Sequence, residues 1–175
     1  MKESVILVDA YDNEIGTMQK MQAHVLGKLH RAFSVFIFNT KGELLLQQRA
    51  IDKYHSGGKW TNTCCSHPRM GETTLAAAHR RLKEEMGMEC QLTYAFNFTY
   101  RADVMEGIYE HEYDHVYFGV TNTLPEPEPE EVSAYQYMDM KVLEAELQIN
   151  PELYTEWLKI CFQLVKNCYK DINGL

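Results

Sequence analysis

The chain has 175 residues, of which 45% are hydrophobic and 24% charged, a composition typical of one globular domain with a core of ordinary size. No stretch approaches the roughly 20 apolar residues of a membrane span, and no small-residue cleavage site follows the first apolar run, so we expect neither a membrane protein nor a signal peptide. The formal net charge of -8 argues against nucleic acid as a partner.

The charge is distributed unevenly along the chain. Residues 1–101 carry a net charge of +3 and residues 102–175 a net charge of -11. A basic first half can bind a small anion within an acidic protein, although scattered, solvated charges would give the same numbers. The five cysteines have no spacing typical of a disulfide framework, and we therefore expect a reducing, cytoplasmic location.

The first part of the chain is predicted to contain strands and turns. SVILVDA (4–10) is typical of a strand and YDNEIG of the turn after it, while residues 17–31 are predicted to be a loop with a short helix. AFSVFIF (32–38) and ELLLQQR (43–49) flank the turn NTKG and predict a β-hairpin. The glycine-bearing loop KYHSGGKW then leads into a short strand, WTNTCC.

Residues 73–86 have the clearest helical pattern, and Gly87 is a natural C-terminal cap. The residues that recur every three or four positions are Leu75, Ala78, His79, Leu82 and Met86.

The second half begins with strict alternation of apolar residues from Leu92 to Tyr100, which predicts a half-buried strand. Another strand is predicted from Ile108 to Val120, and PEPEPEE (125–131) is interpreted as a solvated loop without chemistry. AYQYMD is a possible last strand. Two helices follow, MKVLEAEL and PELYTEWLKICFQLVKNCY, the second with Pro151 in its first turn.

Strands mixed with helices, without regular βαβ repeats, predict an α+β fold in which a mixed sheet is flanked by helices. We expect a single domain over residues 1–175, because neither an internal repeat nor an interdomain linker is visible.

Two pairs of metal-capable side chains follow the strand period. Cys65 and His67 lie two residues apart and project to one face, whereas Cys64 projects to the other face and is interpreted as a core residue. Glu110 and Glu112 also share one face. Like charges so close together usually indicate a cation, although for this pair alone a solvated edge strand is the simpler interpretation.

His24 and His30 lie six residues apart, out of phase for one helix face, so only a loop could bring them together. On spacing alone, surface histidines are the simpler interpretation. His111 and His115 fall on the opposite face from the glutamates and are interpreted as surface or packing residues. Three imidazoles and two carboxylates together would suit Zn²⁺, Mn²⁺ or Mg²⁺.

Three stretches carry a family resemblance: WTNTCCSHP (60–68), HRRLKEEMG (79–87) and YEHE (109–112). With AHVLGKLHRAFSVFIFN, they closely resemble the type I isopentenyl-diphosphate isomerases, members of the Nudix fold superfamily. The resemblance covers roughly residues 4–165.

The resemblance implies a role for each matching residue. Cys65 matches the catalytic cysteine, Glu112 the opposing acid that also binds metal, and Tyr100 a tyrosine that relays the proton. Trp157 matches an aromatic residue facing the reacting carbons, and it lies on an apolar stripe with Leu153, Ile160 and Leu164. The implied ligands of a divalent Mn²⁺, Zn²⁺ or Mg²⁺ ion are His24, His30, His67, Glu110 and Glu112.

The resemblance also implies a site for the substrate's diphosphate. Glu85 matches a ligand of a second metal, Mg²⁺, that accompanies the diphosphate. The positions that would contact the diphosphate are Lys20, Arg49, Lys53 and Arg81.

The Nudix box has the form Gly-x5-Glu-x7-Arg-Glu-U-x-Glu-Glu-x-Gly-U, where U is aliphatic, and this chain departs from it twice. Ser66 replaces the first glycine, and Arg81 replaces a glutamate that would bind a hydrolase's metal. An arginine offers a fork of donors to phosphate oxygens, so the substitution favours holding a diphosphate over cleaving it.

The resemblance implies a metal-dependent isomerase that interconverts isopentenyl and dimethylallyl diphosphate for isoprenoid biosynthesis. We expect Cys65 to act as a thiolate whose pKa nearby positive charge lowers. The alternatives are a Nudix diphosphate hydrolase and a non-catalytic diphosphate-binding module. We also expect a small-molecule substrate, no nucleic-acid or membrane partner, and a monomer or weak dimer.

Overall fold

The computed structural model describes residues 3–173, with side chains as far as residue 169. Within this range, one mixed sheet of nine strands carries helices on both faces. The strands are β1 (Ser4–Val8), β2 (Glu14–Gln19), β3 (His30–Phe38), β4 (Leu44–Arg49), β5 (Trp60–Thr61), β6 (Cys64–Ser66), β7 (Leu92–Met105), β8 (Ile108–Val120) and β9 (Val132–Met138). The helices are α1 (Lys20–Val25), α2 (Thr74–Met86), α3 (Met140–Ile149) and α4 (Glu156–Asn173).

Strand β3 lies at the centre of the sheet and sets the geometry of the cleft described below. It pairs in parallel with β8, where His30 is the partner of Glu112, and antiparallel with β6, where Ser34 is the partner of Cys65. Because paired residues in neighbouring strands project to the same face, these two registers place an imidazole, a carboxylate and a thiol on one side of the sheet.

Two apolar layers hold the helices against the sheet. Helix α2 packs on one face through Ala77, Ala78 and Leu82, against Val35 and Cys64. Helices α3 and α4 pack on the other face, where Leu143, Leu158, Cys161, Phe162 and Val165 cover the aromatic residues of β3 and β8. The predicted α+β architecture and the core position of Cys64 are therefore confirmed.

In the first fifty residues, one predicted turn is a strand, and the predicted hairpin is present but short. Residues 14–19, predicted as turn and loop, form β2 and pair antiparallel with β1. The predicted hairpin of β3 and β4 is paired only at Phe38 and Leu44, because β6 takes the next part of β3's edge and β4 pairs with β5 and β9.

Helix α2 begins and ends as predicted, but it is rotated from the predicted orientation. Thr73 caps the first turn by accepting a hydrogen bond from the Ala76 amide, and Gly87 ends the helix in the left-handed conformation with φ 63°. Leu75 and His79, both placed on the apolar stripe by the sequence pattern, are exposed. The stripe is shifted because the small side chains of Ala77 and Ala78 allow the closest approach to the sheet.

The long C-terminal helix is present, but its predicted start and the predicted partners of Trp157 on its buried stripe were wrong. Pro151–Leu153 forms a separate 3-10 turn, and the chain then becomes extended at Tyr154, where it bridges to Trp60. Helix α4 starts only at Glu156. Its buried stripe holds Trp157 together with Leu158, Cys161, Phe162 and Val165, whereas the predicted stripe partners Leu153, Ile160 and Leu164 are exposed.

A bulge interrupts the predicted alternation of β7. The register with β8 shifts between Tyr94 and Phe96, which leaves Tyr94 half exposed, while Tyr100 at the far end is buried. In the part of the chain that the structure describes, no helix combines the length and apolar character required to cross a membrane.

Candidate active site

A cleft of about 280 Å³ opens where the ends of several strands meet. Most of the site residues expected from the sequence line it: Cys65, Glu112, Tyr100, Lys20, Arg49, Lys53, Arg81, Trp157, His67, Glu110 and Glu85. The two remaining residues, His24 and His30, are fully buried beside Glu110 and His67.

Five side chains from four parts of the chain form a compact group in which one ligand atom of each lies within 4.8 Å of all the others. His24 comes from α1, His30 opens β3, and His67 follows β6, while both glutamates come from β8. All five are buried. The group consists of His24, His30, His67, Glu110 and Glu112, and its donor set of imidazole nitrogens and carboxylate oxygens could hold a divalent metal ion.

Main-chain hydrogen bonds orient two of the imidazoles. The Nδ1 atom of His24 donates to the Lys20 carbonyl at 2.7 Å, and that of His30 donates to the Lys28 carbonyl at 2.8 Å. Since a carbonyl only accepts, each neutral ring presents the lone pair of its Nε2 atom to the group.

The lone pair of His24 faces a carboxylate acceptor, and that of His30 faces the nitrogen of a second imidazole. Nε2 of His24 lies 3.0 Å from Oε2 of Glu110, and Nε2 of His30 lies 3.2 Å from Nε2 of His67. A shared proton or a cation must offset this repulsion, so the arrangement fits a metal ion better than an ordinary buried polar cluster.

The same contacts determine the ionisation of Glu112 and His67. Burial alone would raise the pKa of Glu112, but the neighbouring imidazoles of His30, 3.6 Å away, and His67, 2.9 Å away, hold that pKa well below its ordinary value. Burial lowers the pKa of His67 to about 4, against the opposing effect of Glu112. Glu112 therefore carries a negative charge, and His67 is neutral near pH 7.

The Tyr100 hydroxyl and the Cys65 thiol both line the cleft, and each has a dissociable proton. Tyr100 donates a hydrogen bond of 2.7 Å to Oε2 of Glu112. The expected lowering of the Cys65 pKa is wrong for the protein in this state. Burial raises that pKa, with further increases from Glu85 and Glu112, and Arg49 offsets them only in part. The thiol is therefore protonated.

Three of the four expected diphosphate contacts are paired with carboxylates. Lys20 lies 3.1 Å from Glu3, Lys53 contacts Glu131, and Arg81 contacts both Glu85 and Glu131. These ion pairs hold the positive charges at the cleft, where an anion can exchange with the carboxylates.

Arg49 differs from the other three cations. Its guanidinium lies 5.2 Å from the centre of the Trp157 ring and forms no ion pair with a carboxylate among the described residues. Its buried Nε atom, like that of Arg81, has no hydrogen-bond partner there. A buried donor without a partner is costly, so this group is available to an incoming anion.

The two arginines of the Nudix box have different partners. The Arg80 side chain points away from the cleft and donates hydrogen bonds of 2.7 and 2.8 Å to the two carboxylate oxygens of Glu72. These bonds hold the loop before α2 against the helix. Arg81 turns toward the cleft and contacts Glu85, whose other oxygen accepts from Gln47 at 2.9 Å. Ser66 lies in β6 opposite Phe33, an extended position that does not require glycine.

The WTNTCCSHP motif (60–68) also supports the cleft. Asn62 donates to the carbonyls of Val35 and Cys64 and accepts from the Trp157 indole at 3.2 Å. Trp157 is therefore held in the cleft wall by the motif that also carries Cys65, although the two residues lie far apart in the sequence.

Several residues that line the cleft were not predicted from the sequence, including Gln47, Tyr54, His55 and Glu131. Glu131 corrects the interpretation of the Pro/Glu loop as a segment without chemistry, because its carboxylate contacts Lys53 and Arg81. The polar end of LLLQQR was the only available signal for Gln47. No local pattern marks a buried histidine in a glycine-rich loop.

The NUDIX domain model matches residues 28–158. A protein of Pectobacterium atrosepticum named isopentenyl-diphosphate Delta-isomerase is 51% identical over 166 residues, covering 95% of this chain and 93% of the relative. A protein of the same name from Serratia proteamaculans is 53% identical over 157 residues, covering 90% and 88%. This chain belongs to the isopentenyl-diphosphate Delta-isomerase family within the Nudix group.

Solved structures agree on the fold of this isomerase family member. A Deinococcus radiodurans protein superposes with a TM-score of 0.78 at 19% identity, covering 95% of this chain and 99% of that one. A MutT protein of Methanosarcina mazei gives 0.66 at 17% identity, covering 81% and 96%. Identities this low show the Nudix fold alone and confirm the expected fold. The expected family is confirmed by the sequence relatives.

Proposed function

We propose that this protein interconverts isopentenyl and dimethylallyl diphosphate, the activity named for its relatives and a step of isoprenoid precursor biosynthesis. The observation that carries the proposal is the shared cleft: Cys65 and the Tyr100–Glu112 pair line the cavity that also exposes Lys53, Arg81 and Arg49. A proton donor, a proton acceptor and a cluster of cations in one cavity match a reaction that moves a double bond beside a diphosphate.

Moving the double bond requires one proton to be added at C4 and another to be removed from C2. For isopentenyl diphosphate, one proton first passes through solvent from the Cys65 thiol to the Tyr100–Glu112 unit. That unit then supplies the proton added at C4, and the Cys65 thiolate accepts the proton removed from C2. The reverse reaction starts with the thiol as donor and Glu112 as acceptor. Each turnover leaves the two groups with exchanged protonation, which ordinary exchange with solvent restores.

The cleft must also exclude water from the carbocation-like intermediate. Trp157 is buried at 4% exposure and presents its ring beside Arg49. An aromatic face stabilises positive charge by about 2 kcal/mol when water is excluded. Trp157 therefore stabilises the intermediate and fills the space from which water could attack it.

The diphosphate is held by Lys20, Arg49, Lys53 and Arg81. Glu85, which is 5% exposed and bonded to Gln47, is the expected ligand of a Mg²⁺ ion that accompanies the diphosphate. Arg81 at the position of a hydrolase's glutamate favours binding over cleavage, since it supplies donors to phosphate oxygens in place of a metal-binding carboxylate.

The group of three histidines and two glutamates is the expected site of Mn²⁺, Zn²⁺ or Mg²⁺. A divalent ion bound there would fix Glu112 in place and make its carboxyl group a stronger acid. The hydrogen bonds from the Nδ1 atoms of His24 and His30 to the Lys20 and Lys28 carbonyls orient the two rings. Their Nε2 atoms then point toward the proposed metal site.

The proposal also covers the cellular compartment, the partners and the oligomeric state of the protein. The thiols of Cys64, Cys65, Cys90 and Cys161 take part in no disulfide, which supports a reducing compartment such as the cytoplasm. We expect a small-molecule substrate, no nucleic-acid or membrane partner, and a monomer or weak dimer.

One incubation tests the activity: the purified protein with Mg²⁺, Mn²⁺ and isopentenyl diphosphate in D₂O, followed by NMR. Dimethylallyl diphosphate with deuterium in a methyl group is the expected product. Release of phosphate would instead indicate the hydrolase, and unlabelled starting material would indicate a module that only binds the diphosphate.

A further inference from the structure

His55 lies in the loop between β4 and β5 and is 5% exposed. Its Nε2 atom is 3.0 Å from Oε1 of Glu110, and its Nδ1 atom is 3.2 Å from the Ser56 hydroxyl. Because a carboxylate accepts, Nε2 carries the hydrogen and donates it to Glu110, and Nδ1 accepts from Ser56. Each ring nitrogen of His55 therefore has one partner.

The loop is built to bring this ring inward. A side chain at Gly57 would place its Cβ atom 2.3 Å from the Ile51 carbonyl oxygen, so only glycine permits the tight turn that follows His55. The turn keeps the loop against the cleft rather than in solvent.

Glu110 has a separate partner for each oxygen. Oε2 faces Nε2 of His24 at 3.0 Å, inside the group of five potential ligands, whereas Oε1 faces His55. With Oε1 engaged, the plane of the carboxylate is set and Oε2 is directed into the group. His55 itself lies outside that group of five.

His55 also contacts two other parts of the cleft. Its ring lies edge-on to Trp157, with ring centres 5.9 Å apart and planes at 87°, and its main-chain carbonyl accepts from Arg49 at 3.3 Å. One loop residue thus connects a potential metal ligand, the aromatic wall and a cation of the diphosphate site.

We propose that His55 is a positioning residue, which orients Glu110 for metal binding through the hydrogen bond from its Nε2 atom. This inference rests on the proposed function only in assuming that the five-residue group binds a divalent ion. Partners that orient a metal ligand in this way commonly contribute 10- to 100-fold to metal affinity, on the order of the effect expected here.

The test compares two substitutions that differ in reach. In His55→Gln the amide nitrogen takes the place of Nε2 and can still donate to Glu110, whereas in His55→Asn the amide nitrogen takes the place of Nδ1 and cannot reach it. Ser56→Ala serves as the matched control in the same loop, because it leaves the bond to Glu110 intact. Metal-free protein is titrated with Mn²⁺ alone, and free Mn²⁺ is measured by electron paramagnetic resonance.

We expect His55→Asn to raise the Kd for Mn²⁺ about 10- to 100-fold, while His55→Gln and Ser56→Ala stay within about threefold of the parent protein. Unchanged affinity in His55→Asn would overturn the inference. An equal loss in both histidine variants would also overturn it, since the imidazole would then be binding the metal directly. Because no substrate is present, the result is independent of whether the protein isomerises isopentenyl diphosphate.

Discussion

The Tyr100 hydroxyl donates a hydrogen bond of 2.7 Å to Glu112, and the two residues are direct partners across the β7–β8 ladder. Burial raises the pKa of Tyr100 well above its ordinary value, and the neighbouring Glu112 charge raises it further, so the hydroxyl retains its proton. The other oxygen of Glu112 faces His67 at 2.9 Å. One carboxylate therefore joins the group of potential metal ligands to the Tyr100 hydroxyl.

This relationship predicts the effect of Tyr100→Phe. Removing the hydroxyl leaves Glu112 and the histidines in place but interrupts the proton relay, so kcat should fall about 100-fold or more while the KM for isopentenyl diphosphate changes little. Steady-state kinetics measure both constants. A rise in KM with kcat preserved would show that Tyr100 binds substrate instead of relaying a proton.

The group of five potential ligands predicts a metal requirement. His30→Ala should lower the affinity for Mn²⁺ by more than about 100-fold, because it removes a ligand rather than a partner of a ligand. A chelator should abolish turnover of the parent protein, and added Mn²⁺ should restore it. The exposed His79 on α2 provides the control: His79→Ala should bind Mn²⁺ like the parent, and equal loss in both variants would contradict the site.

The two adjacent arginines of α2 offer a matched pair for the diphosphate site. Arg81→Gln should weaken the binding of inorganic pyrophosphate with Mg²⁺ about 10- to 100-fold in calorimetric titrations, since charged hydrogen bonds to phosphate are lost. Arg80→Gln should leave this binding unchanged, because Arg80 contacts Glu72 and Glu84 on the outer side of the helix. The reverse pattern would show that the direction assigned to Arg81 is wrong.

The Glu72–Arg80 pair predicts a stability difference that depends on pH. The hydrogen bonds from Arg80 lower the pKa of Glu72 below its ordinary value of 4.5. Stabilisation by a carboxylate with a lowered pKa is complete above 4.5 and is lost as the pH falls through the lowered value. Glu72→Gln should therefore lower the free energy of unfolding by about 1 kcal/mol at pH 7 and have little effect near pH 3, as denaturation midpoints can measure. A constant difference at both pH values would contradict an ionic origin.

Local periodicity allowed part of this site to be predicted from the sequence. The opposite directions of Cys64 and Cys65, and the shared face of Glu110 and Glu112, follow from the two-residue period of a strand and hold in the structure. Convergence of His24 and His30 does not follow from any period, because one lies in α1 and the other opens β3. Before the structure, only the family resemblance implied that these two histidines lie close together.

Tertiary contacts decided the features that the sequence pattern did not predict. The C-terminal helix begins late because Tyr154 and Thr155 bond to the Trp60 backbone, a segment almost a hundred residues earlier. His55 is buried because a glycine turn folds its loop against Glu110, and Glu131 reaches the cleft because Lys53 and Arg81 attract it. Contacts of this kind leave no trace in local hydrophobic patterns.

The central claim is that Cys65 and Glu112 exchange protons with the substrate across one cleft, and solvent labelling of matched variants tests it most directly. In D₂O with isopentenyl diphosphate, Cys65→Ala and Glu112→Gln should form labelled dimethylallyl diphosphate at least about 1000-fold more slowly than the parent, while both still bind pyrophosphate. Cys64→Ala, which changes the neighbouring thiol in the core, should retain labelling. Near-parental labelling by Cys65→Ala, or an equal loss in Cys64→Ala with its fold intact, would contradict the account.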